Sequence, residues 1–131
     1  MFYVAKATDR QKVVNAYKQS SVETASPAEL VLMLFNVCLR SMKEAINCIE
    51  AKDYSGANEK LVHAQDITDE LRAALDLSVG DLAARLNSLY SFVYLCLLKA
   101  NVHKEAGLVH DAVNVMTQIR DAWEEAVRNY G

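Results

Sequence analysis

The 131-residue chain is poor in the residues that punctuate and specialise a fold. It has one proline, Pro27, and four scattered glycines. No glycine-rich phosphate loop and no Gly/Pro-rich linker can be assembled from these. No stretch alternates apolar and polar residues with the period of a strand. Basic residues form no long run, and the net charge is −3 with a pI near 5.6, which argues against nucleic acid as a partner. No apolar run approaches the ~20 residues that span a bilayer, so membrane insertion is not expected. The opening MFYVAKATDR lacks a charged segment followed by an apolar one, and no signal peptide is expected. Cys38, Cys48 and Cys96 are odd in number, lack C-x-x-C spacing and sit in apolar helical context. They read as buried, reduced thiols of a cytosolic protein.

Catalytic and metal-binding patterns are also missing. A di-iron bundle needs Glu-x-x-His pairs, and there is none. His63 and Asp66 belong to an outer helical arc, while His103 and His110 flank a turn. Asp66, Asp69 and Glu70 read as a solvated acidic face. With no Ser/His/Asp or Cys/His arrangement either, an enzyme is not expected, and no cofactor is implied.

The chain does carry a 52% apolar content, enough to fold as one helix-rich domain without metal or disulfide help. "SPAE" at residues 26–29 is a helix start. Ser26 caps, Pro27 suits the first turn and Glu29 closes a capping box. Four helices are expected at about 27–50, 53–76, 81–104 and 107–129, the second capped by Asp53. The second places Tyr54, Ala57, Leu61, Ala64, Thr68, Leu71 and Leu75 on one stripe. The third does the same with Leu82, Leu86, Leu89, Val93, Cys96 and Ala100. The fourth turns Val109, Ala112, Met116, Ile119, Trp123, Ala126 and Tyr130 inward. Short connections make sequential helices antiparallel, so the expected fold is all-α: an up-down four-helix bundle of residues 21–131. Residues 1–20 are expected as a strap or short helix lying on it.

The third helix is the anomaly. Phe92 to Leu98 are all apolar, where a helix with one buried face would be interrupted by polar residues. At ~100° per residue, Ala84, Ser91, Leu95, Leu98 and Val102 form a second stripe opposite the expected core stripe. On the first helix, Phe35, Leu39, Met42 and Ile46 are expected on the outer part of a wide apolar arc. Only Asn36, Arg40, Lys43, Asn47 and Glu50 mark a polar strip there. Something should cover so much apolar surface. The occupants are the N-terminal strap, a second copy of the chain, or an amphipathic helix of another protein.

"NAYKQSSVETASPAELVLMLFN" at residues 15–36 resembles the FliS family of flagellin-specific secretion chaperones. The shared pattern is Tyr17, Ser21-Val22, Thr24 to Pro27, Leu30 and Met33 to Phe35. It continues through "ANEKLVHAQDITDEL" (57–71), Leu89-Tyr90, Ala100-Asn101 and "RDAWEEA" (120–126). The resemblance implies a cytoplasmic, non-enzymatic bundle without cofactor. Its partner would be the disordered C-terminal segment of flagellin, folded into helices along apolar grooves and delivered to the flagellar type III export gate. A co-chaperone or regulator, and a homodimer when cargo is absent, are further partners to consider. Tyr17 and Val22 would gate the groove. Combined with the helix faces, the resemblance singles out Leu95, Leu98 and Val102 for contact, with Ala64, Ile67 and Thr68 as groove walls. Leu95 and Cys96 replace a pair that is commonly basic in the family. The chain also starts ahead of the family's usual beginning, and residues 1–14 are expected to pack on the enlarged stripe of the third helix. The competing readings are a self-associating structural or regulatory bundle and, against the ligand pattern, an iron or manganese enzyme.

Overall fold

The computed structural model describes residues 26–130. Its elements are α1 (Pro27–Glu50), α2 (Tyr54–Ala73), a short 3-10 turn (Leu77–Val79), α3 (Asp81–His103) and α4 (Ala106–Tyr130). The expected strap, residues 1–20, and the gating residues Tyr17 and Val22 lie outside the described residues. So do residues 1–14, expected on α3.

Local chemistry sets the helix ends. The capping box forms: the Glu29 amide donates to Ser26 Oγ and the Ser26 amide to Glu29 Oε1, both at 3.2 Å. Asp53 caps α2 by accepting from the Gly56 amide at 3.0 Å. At the end of α1, Lys52 takes the left-handed conformation, φ 60°. The Lys52 amide bonds the Ile49 carbonyl and the Asp53 amide the Cys48 carbonyl, the paired bonds of a Schellman turn. Lys104 ends α3 in the same conformation, and the Glu105 amide reaches back to Ala100. Two abrupt reversals follow, which make their flanking helices antiparallel.

Each helix packs against its neighbours in sequence, and α1 also packs against α4. The backbones of the diagonal pairs stay apart, so the cross-section is a square. Side chains fill the centre. Phe35 lies with its ring centroid 6.5 Å from Tyr90 across the diagonal and 6.4 Å from Trp123 of α4.

Several expectations about faces are corrected here. Phe35, Leu39, Met42 and Ile46 are buried rather than outward, because α1 has a neighbour on each side and the core takes more than half its circumference. On α3 the inward stripe is Ala83, Leu86, Tyr90, Val93, Leu97 and Ala100, with Cys96 also buried. Leu82 and Leu89, expected inward, are exposed. Leucines on both faces left the pattern ambiguous by one residue, and the Phe35–Tyr90 contact selects the register. Tyr54 and Ala126 are likewise exposed, each near a helix end where the stripe runs past its neighbours. The Tyr130 side chain lies outside those described. The helix α2 ends at Ala73, short of the expected 76, yet Leu75 still packs on the core. Asp69, expected on a solvated acidic face, is buried and bonds Arg72 Nη2 at 2.6 Å.

Candidate functional site

Helix α3 buries one stripe and leaves a second one bare. Leu95, Leu98 and Val102 are 52%, 42% and 70% exposed, as their spacing predicts. Leu89 and Phe92, not among the expected contact residues, extend the band toward α4. The signal for Phe92 was the unbroken run from 92 to 98. That for Leu89 was hidden by its false place on the core stripe.

Both edges of the band are built differently. Toward α2, the boundary is polar and pinned. The Asn101 side-chain amide donates to Asn58 Oδ1 at 2.8 Å, and Arg72 Nη1 donates to Ser91 Oγ at 3.2 Å. The Arg72 guanidinium also lies 5.5 Å over the Tyr94 ring. These bonds tie α2 to α3, and Val62 of α2 is itself exposed. Toward α4, Cys96 is buried while Leu108 and Val115 remain partly open. Helix α3 therefore has a polar edge toward α2 and a more apolar one toward α4.

Ala64, Ile67 and Thr68, expected as groove walls, do not reach the surface. All three are buried in the bundle core. Thr68 Oγ1 donates to the Ala64 carbonyl at 2.8 Å, and the Cys38 thiol donates to the same carbonyl at 3.5 Å. Their small size lets α1 and α2 approach, and that approach buries them.

Nothing in the site has the chemistry of catalysis. Burial pushes the Cys38 thiol up to about 12, against a weaker opposing effect of its hydrogen-bond contact with Thr68. Burial, with Asp111 nearby, also raises the Cys96 thiol. Thiols so shifted are poor nucleophiles. Among the described residues, no group of three or more His, Cys, Asp or Glu side chains is placed to hold a metal ion. No described helix is long and apolar enough to cross a membrane.

Leaving several large apolar side chains in water forgoes roughly 1.5–3 kcal/mol each, and a patch of this kind marks a surface made to be covered. Among the described residues, a helical bundle that leaves a long apolar helix face bare has the build of a protein that binds a partner. The family model described as flagellar protein FliS matches residues 10–130. The chain belongs to the FliS family of flagellar secretion chaperones. It is 37% identical to the flagellar secretion chaperone FliS of Bacillus subtilis (strain 168) over 119 residues, covering 91% of this chain and 89% of that protein. The FliS chaperones of Salmonella typhimurium and Escherichia coli (strain K12) are each 32% identical, over 86% and 95% of this chain and 87% and 92% of theirs. A crystal structure of a flagellar chaperone from bacteria superimposes with a TM-score of 0.73 at 19% identity, covering 91% of this chain and 98% of that one. That likeness establishes the fold: an all-α helical bundle.

Proposed function

We propose that this chaperone binds the disordered C-terminal segment of flagellin in the cytoplasm, holds it unpolymerised, and releases it at the flagellar export gate. The observation that carries the reading is the bare apolar band of α3, from Leu89 to Val102. Flagellin polymerises through its terminal helices, so covering one end blocks assembly. Ordering a disordered tail costs entropy, and a long apolar track on a preformed bundle offsets that cost. The cargo folds into amphipathic helices whose apolar faces meet Leu95, Leu98 and Val102, with Leu89 and Phe92 extending the track. Tyr17 and Val22 gate this face before cargo arrives.

The test is a calorimetric titration with a flagellin C-terminal peptide of about 40 residues, followed by circular dichroism, since coupled folding gives a negative heat-capacity change. A 1:1 complex with more helix than the sum of its parts is expected. Leu98→Asp is expected to weaken it at least tenfold. Binding only after removal of residues 1–20 would identify the N-terminal segment as the gate. If neither the full chain nor the shortened one binds, the cargo reading fails. A mass that rises with concentration would then assign the α3 face to self-association.

A further inference from the structure

Helix α3 differs from its neighbours in charge as well as in hydropathy. From Leu82 to Lys104 there is no Asp or Glu, the longest acid-free stretch in a chain whose acids outnumber its bases 17 to 14. Each of α1, α2 and α4 carries at least three acidic residues. The bare band therefore lies on the one described helix that offers an approaching anion almost no repulsion of its own.

Arg85, Phe92 and Lys99 recur every seven residues, so they share one edge of the band, the edge toward α4. All three are exposed. Neither Arg85 nor Lys99 engages in a side-chain hydrogen bond or an ion pair. Asp111 of α4, near Cys96, pairs with neither. The two cations stand two heptads apart, about 21 Å along the helix. The edge toward α2 is different. Arg72 is taken up there by Asp69 and Ser91, and the Asn58–Asn101 pair is neutral.

We propose that the partner helix seated on α3 is amphipathic with acidic flanks, and that Arg85 and Lys99 select it. The proposal rests on the reading of α3 as the cargo face and adds the chemistry by which cargo is chosen. Apolar contact with Leu95, Leu98 and Val102 holds an amphipathic helix, and like charge at the edge rejects a basic one. The acid-bearing helices of a chain with net charge −3 repel an acidic helix elsewhere. Charge also ranks the other occupants of the band. A second copy pairing α3 with α3 brings cations and no acid to the contact. Residues 1–25 carry four bases, Lys6, Arg10, Lys12 and Lys18, against Asp9 and Glu23, so an acid-flanked partner outcompetes this segment.

The experiment uses the full chain and three end-blocked model helices that share one leucine-rich face and are flanked by glutamate, glutamine or lysine. Dissociation constants are read by fluorescence at low and high salt. The glutamate helix should bind at least tenfold more tightly than the lysine helix, with the glutamine helix between them, and the gap should shrink with salt. In Arg85→Glu/Lys99→Glu the order should reverse, while the glutamine helix stays within twofold of the parent. In Leu98→Asp all three should weaken, which places the helix on α3. Circular dichroism verifies that each variant is folded. Equal binding of the glutamate and lysine helices, an unchanged order in the folded double variant, or binding untouched by folded Leu98→Asp would each overturn the proposal. So would no binding of any helix, and a mass that rises with concentration would then assign the face to a second copy. If flagellin peptide binds while the three helices do not differ, the cargo reading stands and this proposal falls. If the order is as expected and flagellin peptide does not bind, the acid-flanked partner stands and flagellin is excluded.

Discussion

The indole Nε1 of Trp123 donates to the Ala28 carbonyl at 2.9 Å, joining the last third of α4 to the first turn of α1. The same ring packs against Phe35, so one side chain closes the square between the first and last helices. Trp123→Phe removes the donor and part of the packing surface. A net loss of about 1–2 kcal/mol is expected, seen as a fall of roughly 4 °C in Tm per kcal/mol for a domain of this size. Thermal circular dichroism measures it, and an unchanged Tm would mean that this bond contributes nothing.

Leu97 and Leu98 are adjacent and chemically identical, yet one is fully buried and the other 42% exposed. Leu97→Ala is expected to cost about 2–5 kcal/mol, as buried leucines do. Leu98→Asp should stay within ~0.5 kcal/mol of the parent, the usual range for surface substitutions. Denaturant titration of the two variants tests the register of α3 directly, and equal losses would refute it.

Ala64 offers the same kind of check on α2. It is fully buried beside Cys38 and Thr68. Ala64→Leu therefore overpacks the core and is expected to destabilise by about 1–3 kcal/mol. A wall of an open groove would accept the larger side chain at no such cost, so a neutral result in urea unfolding would return Ala64 to the surface.

Alkaline pH should loosen the bundle. Burial holds the Cys38 thiol at about 12 in the folded chain, against an ordinary 9.0. Tyr90 is raised to about 12 from 10.0, by burial first and then by Cys38. Both groups bind their protons more tightly when folded. Their contribution is complete below pH 9 and is lost as pH rises from 9 through 12. For Cys38 the loss approaches ~1.4 kcal/mol per pH unit once the unfolded thiol is ionised. Urea midpoints from pH 8 to 11 should fall along this limb, and Cys38→Ala should move its onset from about 9 toward the 10 of the unfolded tyrosine. A flat midpoint across that range would contradict the burial of both groups.

Much of the architecture was legible before any coordinates. Ser26-Pro27 and Glu29 announced α1, Asp53 announced α2, and the spacing of Val109, Ala112, Met116 and Ile119 marked the inward face of α4. These signals are local: a cap involves residues three apart, and a stripe needs only the helical period. The bare face of α3 was legible for a related reason. A helix apolar on all sides cannot bury every side against two neighbours, so Leu95, Leu98 and Val102 were left over whichever stripe turned inward.

What the tertiary structure alone decided is which apolar residues are core and which are surface. Hydropathy does not distinguish Leu82 from Ala83, or Leu98 from Leu97; the placement of Phe35, Tyr90 and Trp123 at the centre of the square does. That placement turned the outer arc assigned to α1 into core and buried Ile67 along with Ala64 and Thr68, which the stripe of the second helix had already grouped with Leu61. It also brought Asn36 of α1 to Arg120 of α4, 84 residues apart in the chain. Such a pairing depends on how four helices share one interior, and no periodicity within a single helix encodes it.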